Sequence, residues 1–461
     1  MLSAALPGTD ETISVKIAIF VHCFFPDHYY GTETYTLDLA RRLREMGHEA
    51  TVVAAIFPGE PKQEQAVARY EYQGVPVISI DKNIFRHRGL ADTYYQPSMR
   101  PVLREILDDL KPDLVHVTHL VNHTAVLLEE VKDLGIPLVA TLTDFFGFCY
   151  TCILQAADGS LCSGPSADRS NCVACWLKKV GTGPRAGRLE RAVIRGPWLG
   201  LAAAGLVRAT RLPRVASPFG QVVRDLVERP NVLARAYETY RAVIMPTRFL
   251  RDAYERNGLN VPMHDIRFGV DLPRHPKPER SASAPLVIGY IGQIVPHKGV
   301  DLLVDSFAAL GAVAAELHIF GPEDQDPHYM AKIRRAAAGR AVRFRGTFPK
   351  EKLAGVLEEL DLLAIPSRWY ENSPLVLLNA LASHTPVLIS DVAGMTEFVE
   401  NGKNGFIFKR GDLVDLSRTL REIVAAPESV RAMSQTTEYR RTTRTMVEDV
   451  LPIYREVSGL K

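Results

Sequence analysis

The sequence predicts an α/β protein of two doubly wound halves facing a central cleft, and three observations lead there. The 461 residues exceed the roughly 100–200 of a single domain. Short, apolar, β-branched runs alternate with helix-length segments, a rhythm that builds parallel sheets covered on both faces. The rhythm stops near residue 272 and restarts near 286, across a Pro-, Ser- and charge-rich stretch at 272–285 that reads as a linker.

Taken in order, residues 16–23 form the first strand. Residues 31–46 form the first helix, with Leu37, Leu39, Ala40, Leu43 and Met46 near helical spacing and Gly47 as its stop. Strands follow at 50–56, 75–80, 114–117 and 137–141. In the second half strands are expected at 286–292, 316–321, 343–346, 362–366 and 386–390, with helices at 300–310, 329–338, 350–360, 375–382 and 412–426. Between the halves, residues 145–230 break the pattern. They hold five of the six cysteines and then a basic stretch, 177–230, with eleven Lys and Arg against three Asp and Glu. Trp198, Leu199, Leu201, Leu206, Val207 and Phe219 are interleaved there. Ligands of doubly wound sheets sit beyond the carboxyl ends of the strands, so the cleft is the place to look for function.

Composition narrows the class. With 46% hydrophobic and 23% charged residues the chain is neither disordered, collagenous nor disulfide-dense. Lys plus Arg number 55 against 53 Asp plus Glu, so no global field draws in nucleic acid and any anion site is local. The longest uncharged apolar runs, 17–25 and 198–207, fall short of the ~20 residues of a spanning helix. Residues 1–10 lack the pattern of a secretory signal, which makes the cytoplasm the expected compartment.

The sharpest chemistry lies in the second half. The run Gly-Tyr-Ile-Gly-Gln-Ile-Val-Pro-His-Lys-Gly at 289–299 puts a glycine turn, Gln293 and Lys298 just after a strand. Pro-Ser-Arg-Trp-Tyr-Glu-Asn-Ser-Pro-Leu-Val-Leu-Leu-Asn at 366–379 puts Glu371 just before a helix. The free N–H groups of a helix opening at Ser373, Leu375 and Val376 suit a diphosphate, and Lys298 supplies a full charge. Glu371 is placed to accept sugar hydroxyls, and Asn379 can donate to or accept from a ribose hydroxyl. In the first half Asp144 ends the 137–141 strand, either as a sugar or acceptor contact or as a turn cap. His116, His119 and His123 surround the preceding strand end; they read as structural, with His119 the best placed to line the cleft.

These segments, 289–307, 366–379 and 386–406, resemble the donor half of the family 4 glycosyltransferases, retaining enzymes of the GT-B fold. The resemblance extends to Gly31-Thr-Glu-Thr-Tyr-Thr-Leu-Asp-Leu-Ala, Gly47-His-Glu, Pro112-Asp-Leu-Val-His and Phe268-Gly-Val-Asp. It implies two Rossmann-like domains: an acceptor domain at 1–275 carrying the 145–230 insert, a nucleotide-sugar donor domain at 276–436, and a final helix within 437–461 returning to the first. It implies that Lys298 meets the donor diphosphate, Glu371 the transferred sugar, the Leu375 and Val376 N–H groups a phosphate, and that Gly31 lets its loop approach the donor. No catalytic metal is implied. The expected substrates are a nucleotide-diphosphate sugar and a glycan or lipid-linked acceptor of surface polysaccharide or glycolipid assembly. Three positions depart from the family pattern: Gln293 replaces an arginine, Asn379 a second glutamate, and Thr143 a histidine before Asp144. They admit a second reading, a noncatalytic nucleotide-sugar-binding or partner protein. A dinucleotide-dependent oxidoreductase is unsupported, since no G-x-G-x-x-G follows the first strand.

The insert carries Cys149-Tyr-Thr-Cys152 and Cys172-Val-Ala-Cys175 with Cys162 between them. Four of these five suit a structural zinc; free buried thiols are the alternative. A subgroup of the resembled family has cysteines matching Cys149, Cys162, Cys172 and Cys175, which competes with the two-pair choice that uses Cys152. Cys23 reads as a small core residue. The basic stretch reads either as an element lying on an anionic membrane at its inner face or as a solvated helical pair.

Overall fold

The computed structural model describes residues 14–60, 64–181, 199–210, 217–272, 277, 280, 281 and 283–459. The expected linker, the middle of the basic stretch and the chain start fall partly or wholly outside this set.

Eight strands form the first sheet: β1 (Lys16–Phe20), β2 (Glu49–Ile56), β3 (Val67–Tyr72), β4 (Val75–Asp81), β5 (Leu114–Val117), β6 (Leu138–Thr141), β7 (Ala242–Met245) and β8 (Met263–Asp265). Their order is β3-β4-β2-β1-β5-β6-β7-β8, parallel throughout except for β3 against β4. Six form the second: β9 (Leu286–Ile291), β10 (Ala315–Phe320), β11 (Val342–Gly346), β12 (Leu362–Ile365), β13 (Val387–Ser390) and β14 (Gly405–Phe408), in the order β11-β10-β9-β12-β13-β14 and all parallel. The α/β class of two parallel-sheet halves is therefore as the sequence predicts. Central strands such as β5, β6, β12 and β13 are buried along their whole length, which is why they read as unbroken apolar runs. Strands β3, β7, β8 and β14 escape the sequence reading. The first is a polar edge hairpin strand alternating between half-buried and exposed, and the other three are only three or four residues long. The segment expected as one helix at 350–360 is a 3₁₀ turn, Lys350–Lys352, followed by a short helix, Leu353–Glu358.

The last helix, Thr443–Ser458, packs on the first half. Arg241 Nη1 donates to Val457 O at 2.7 Å, the Tyr454 hydroxyl bonds His116, and Asp271 joins Arg42 (2.9 Å) to the Thr443 N–H (3.0 Å). In the insert, helices Ser170–Gly181, Leu199–Thr210 and Pro218–Tyr237 share a small core of Val173, Ala203, Val207, Val223 and Leu226. Among the described residues no helix is long and apolar enough to cross a membrane.

Side chains also bridge the halves across the cleft. Lys350 Nζ lies 2.9 Å from Asp38 Oδ1, and Gln325 Nε2 donates to the Tyr30 hydroxyl at 2.9 Å. Glu397, from the second half, sits at the N-terminus of helix Arg248–Arg256 of the first, accepting the N–H groups of Arg248 (3.0 Å) and Phe249 (2.8 Å). These are charge-assisted bonds at the positive end of a helix dipole. Glu397→Ala is expected to lower stability by about 1–2 kcal/mol, read as a shift of the urea midpoint.

Candidate active site

The carboxyl ends of β9 and β12 bring two loops together. Gly299, at φ +73°, lies so close to the second loop that a β-carbon there would strike Pro366 O, so the approach depends on glycine. Arg368 ties the loops further, donating from Nη1 to Pro296 O (3.0 Å) and to Asp301 Oδ1 (2.7 Å). Tyr329 and Lys332 also bond Asp301, at 2.7 and 2.9 Å. Burial alone would raise the Asp301 carboxyl, but Arg368, Lys332 and Tyr329 hold it at about 2.

This framework sets Lys298 Nζ 2.7 Å from Glu371 Oε1. Glu371 is buried, and the same oxygen accepts from the Ser367 hydroxyl and from Trp369 Nε1 (2.9 Å). Burial pushes the Glu371 carboxyl up; Lys298, Ser367 and Trp369 outweigh it and bring it below the ordinary carboxylate range. Lys298 also stands over the Trp369 ring, 4.9 Å from its centre. His297, 4.1 Å from that ring, is held down to about 4 by burial and by the Lys298 charge.

Helix Leu375–Ala382 starts beside the pair. Ser373, just before it, is buried in a left-handed conformation at φ +58°, a strained state for a side-chain-bearing residue. Among the described residues its hydroxyl and the side-chain carbonyl of Asn372 find no partner. Two orphaned polar atoms at a helix start leave room for a ligand's hydrogen bonds. Leu375 and Val376 occupy the helix's first turn, half-buried.

The first half meets this loop from the other side. Asn372 Nδ2 donates to Thr143 O at 3.1 Å, and Tyr370 packs against Phe145 and Phe249. Asp144 has the turn-cap role offered for it, Oδ1 accepting the Phe146 N–H at 2.7 Å, and its Oδ2 lies 2.5 Å from His119 Nε2. The His119 ring stacks on His22 at 3.9 Å, and His22 Nε2 is 3.2 Å from Glu33 Oε1. Burial, together with His119, His123 and His28, holds His22 well below the usual histidine range. Glu33 is buried and also accepts the Cys23 thiol at 2.9 Å. His116 and His123 are wholly interior, bonded to Tyr454, Thr141 and the Val21 carbonyl, which is the structural role expected of them.

At the three departing positions, the Thr143 hydroxyl donates to Thr118 O (2.9 Å), and Asn379 Nδ2 donates to Leu375 O (2.8 Å) in its own helix. The Gln293 main-chain carbonyl accepts the Tyr290 hydroxyl at 2.6 Å. Asn379 also lines an interdomain cavity of about 370 Å³ with Asp38, Arg41, Lys350 and Thr443. Gly31 opens helix Gly31–Glu45, with free space where a β-carbon would stand. Sequence reasoning missed Glu33, His22, Ser367, Trp369, Arg368, Asp301 and Glu397. Ser367, Arg368 and Trp369 stand within the motif that holds Glu371 and carry the one signal available; the others depend on contacts distant in sequence.

In the insert, four thiols gather. Cys172 is pushed up to about 12 by burial and by the neighbouring Cys149, Cys162 and Cys175. Cys162, raised mainly by burial and partly by Cys149 and Cys175, accepts the Gly164 N–H at 3.4 Å. The Cys152 thiol is pushed up mainly by burial, with Asp144 and Cys149 adding and Arg229 opposing. The grouping suits zinc in donor chemistry, yet the thiols stand wider than a closed shell. Among the described residues, the set of three His, Cys, Asp or Glu ligand atoms within 4.8 Å of one another is His22, Cys23 and Glu33.

Two family models match the chain in succession: Glycosyltransferase Family 4 over residues 29–148, and Glycosyl transferases group 1 over residues 272–440. The chain is 30% identical to a glycogen synthase of Mycobacterium tuberculosis over 183 residues, 38% of this chain and 43% of that protein. It is 30% identical to a D-inositol 3-phosphate glycosyltransferase of Nocardia farcinica over 182 residues, 36% of this chain and 40% of the relative. The matched stretch thus spans less than half the length of these relatives. The fold is that of the Anabaena protein HepE, solved in complex with UDP and glucose, at a TM-score of 0.60 and 16% identity over 95% of this chain and 99% of that one.

Lys298→Met removes the counter-charge of a buried carboxylate and is expected to cost about 2–3 kcal/mol, less than a fully buried pair because Lys298 is partly exposed. Because the folded state holds the Glu371 carboxyl low, its contribution is present above the ordinary carboxylate range and is lost as pH falls through its folded value. The stability gap between wild type and variant, followed by urea unfolding, is expected to narrow from pH 7 towards about pH 4.

Proposed function

The chain belongs to the family 4 glycosyltransferases; from that premise we propose a retaining enzyme that uses a nucleotide-sugar donor and passes the sugar to a glycan or lipid-linked acceptor in surface polysaccharide or glycolipid assembly. The observation that carries the site reading is the buried Lys298–Glu371 pair beside the orphaned Ser373 hydroxyl. In this reading Lys298 and the N–H groups of Leu375 and Val376 receive the diphosphate, with Ser373 and Gln293 at its flank. Glu371 accepts hydroxyls of the transferred sugar, Asn379 meets the ribose, and Gly31 gives the N-terminal loop close access. Asp144, His119 and Thr143 face the acceptor.

The chemistry follows from charge. As the sugar–phosphate bond breaks, negative charge grows on the leaving diphosphate and positive charge on the sugar ring. Lys298 and the helix start stabilise the first, and Glu371 lies beside the second. The departing phosphate oxygen takes the acceptor's proton, so the step needs neither a nucleophilic carboxylate nor a catalytic metal. Residues 1–275 then serve as acceptor domain, 276–436 as donor domain, and 437–461 as a strap from the second onto the first. Support for the donor comes from HepE, of the same fold, with UDP and glucose bound.

Two features of the insert join the proposal. Cys149, Cys162, Cys172 and Cys175 hold a structural zinc that stiffens the loops after β6. The exposed Val180, Leu201 and Phe219, in a strongly basic stretch, rest on an anionic membrane surface.

Hydrolysis across a panel of UDP-, GDP- and ADP-sugars tests the transfer reading. One donor is expected to be turned over, and Glu371→Ala to slow it by about a hundredfold or more while the protein stays folded. Wild-type turnover in that variant would remove Glu371 from its role. Replacing both Cys172 and Cys175 by Ser is expected to release bound zinc and lower the melting temperature; unchanged metal content and melting would defeat the zinc site.

A further inference from the structure

The segment that leads from β1 into helix Gly31–Glu45 is clasped at its two ends by three side chains of metal-binding type. His22 and Cys23 stand at its start, and Glu33 stands in the first turn of the helix. Glu33 Oε1 lies 3.2 Å from His22 Nε2 and 2.9 Å from Cys23 Sγ, and the three ligand atoms all fall within 4.8 Å of one another.

Glu33 poses a problem of charge. It is 1% exposed, and among the described residues no Lys or Arg pairs with it. Its partners are an imidazole and a thiol, neither of them a fixed charge, and the helix start adds only a partial positive one. A buried carboxylate is costly unless a cation offsets it. A divalent ion supplies that charge, and the groups at hand are the donors that zinc selects: imidazole nitrogen, thiolate sulfur and carboxylate oxygen. Tetrahedral zinc holds such atoms about 3.4–3.6 Å apart, so seating it asks the present contacts to open by less than about 1 Å.

The ligands are also held in place by their surroundings. The His22 ring stacks on His119 at 3.9 Å and meets Phe57 edge to face. Beneath it Asn122 Nδ2 donates to His22 O at 2.9 Å, and His123 Nε2 bonds Val21 O at 2.7 Å. Ligands fixed by packing need little reordering to take up a metal. Cys23 and Glu33 are buried, whereas the His22 side chain is 16% exposed, which gives an ion its way in.

We propose that His22, Cys23 and Glu33 bind a zinc ion, with water as the fourth ligand. The ion takes the place of the Cys23 thiol proton, which leaves to solvent, and no redox partner is involved. The site goes beyond the transfer reading and does not rest on it. It shares no residue with the insert thiols or with the Lys298–Glu371 pair, and it ties the end of β1 to the helix that Gly31 opens.

The test is zinc and cobalt binding by the full chain after chelator treatment, read as metal content and as thiolate-to-cobalt absorption. Because the insert thiols are a second proposed zinc site, two starting proteins are used, wild type and the double variant Cys172→Ser, Cys175→Ser. In each, Cys23→Ser, His22→Gln and Glu33→Gln are expected to weaken the binding of one zinc per chain by about a hundredfold or more. Cys23→Ser is also expected to remove the cobalt absorption that the double variant retains. Far-UV circular dichroism checks folding; if His22→Gln or Glu33→Gln does not fold, the Cys23→Ser comparison decides, together with the rise in melting temperature that zinc gives its parent. The proposal falls if Cys23→Ser keeps the zinc content and affinity of its parent, or if the folded double variant binds no zinc. It falls too if magnesium competes equally well, which would mean an oxygen site that uses neither the imidazole nor the thiol. If the double variant keeps all its zinc and Cys23→Ser alone loses it, the insert site fails and this one stands.

Discussion

The ion pair between Lys298 and Glu371 is the constraint around which the second half is arranged. A carboxylate this deeply buried persists in charged form only if its desolvation is offset, and one lysine at 2.7 Å does not suffice without further donors. Ser367 and Trp369 supply them, all on Oε1, so the charge is held in one orientation. Each supplier is fixed in turn. Trp369 sits between Lys298 and His297, and Ser367 passes its carbonyl to the Ser390 hydroxyl at 2.6 Å. Gly394 stays glycine because a β-carbon there would strike Glu371 O. The pair is thus the visible end of a packed network that spans the ends of β9, β12 and β13.

Much of this was legible in the sequence, and for a physical reason. Buried parallel strands need unbroken apolar runs, and anion-binding loops need glycine, a cation and a helix start close together in the chain; both are local patterns. Lys298, Glu371 and the helix at 375–382 could be read in that way. What could not be read depends on pairs distant in sequence. Asp301 has no local mark that binds it to Arg368, 67 positions on. Glu33 lies within a recognised segment, but its buried bonds to His22 and Cys23 exist only because β1 and the first helix pack together. The three-residue β8 offered too few residues for a period, and the polar edge strand β3 too little hydrophobic contrast.

Gln293, Asn379 and Thr143 lack the charge or the ring that the family pattern leads one to expect. Thr143 and Asn379 spend side-chain donors within the fold, on Thr118 O and Leu375 O. Charge is present close by in other forms. His119 places an imidazole against Asp144, next to the position where Thr143 has none, and Arg368 and Arg410 bring guanidinium groups to the Glu371 loop. Arg368 is neutralised by Asp301 and so serves to hold the loops together. Arg410 has no carboxylate partner among the described residues, and its Nη1 donates to the carbonyl of Arg368.

This placement gives the insert a meaning beyond decoration. It begins directly after Asp144, reaches the second half through Gln155, and returns to the first sheet through helix Pro218–Tyr237 and β7. A segment so attached cannot shift without disturbing either Asp144 or the loop of Glu371. The halves are joined elsewhere by Lys350 with Asp38 and by Glu397 with the helix at 248–256, contacts that do not touch the Lys298–Glu371 pair. Among the described residues, Gln155 of the insert joins Thr143 and Phe249 in tying the first half to the Glu371 loop, through Arg368 O, Asn372 and Tyr370.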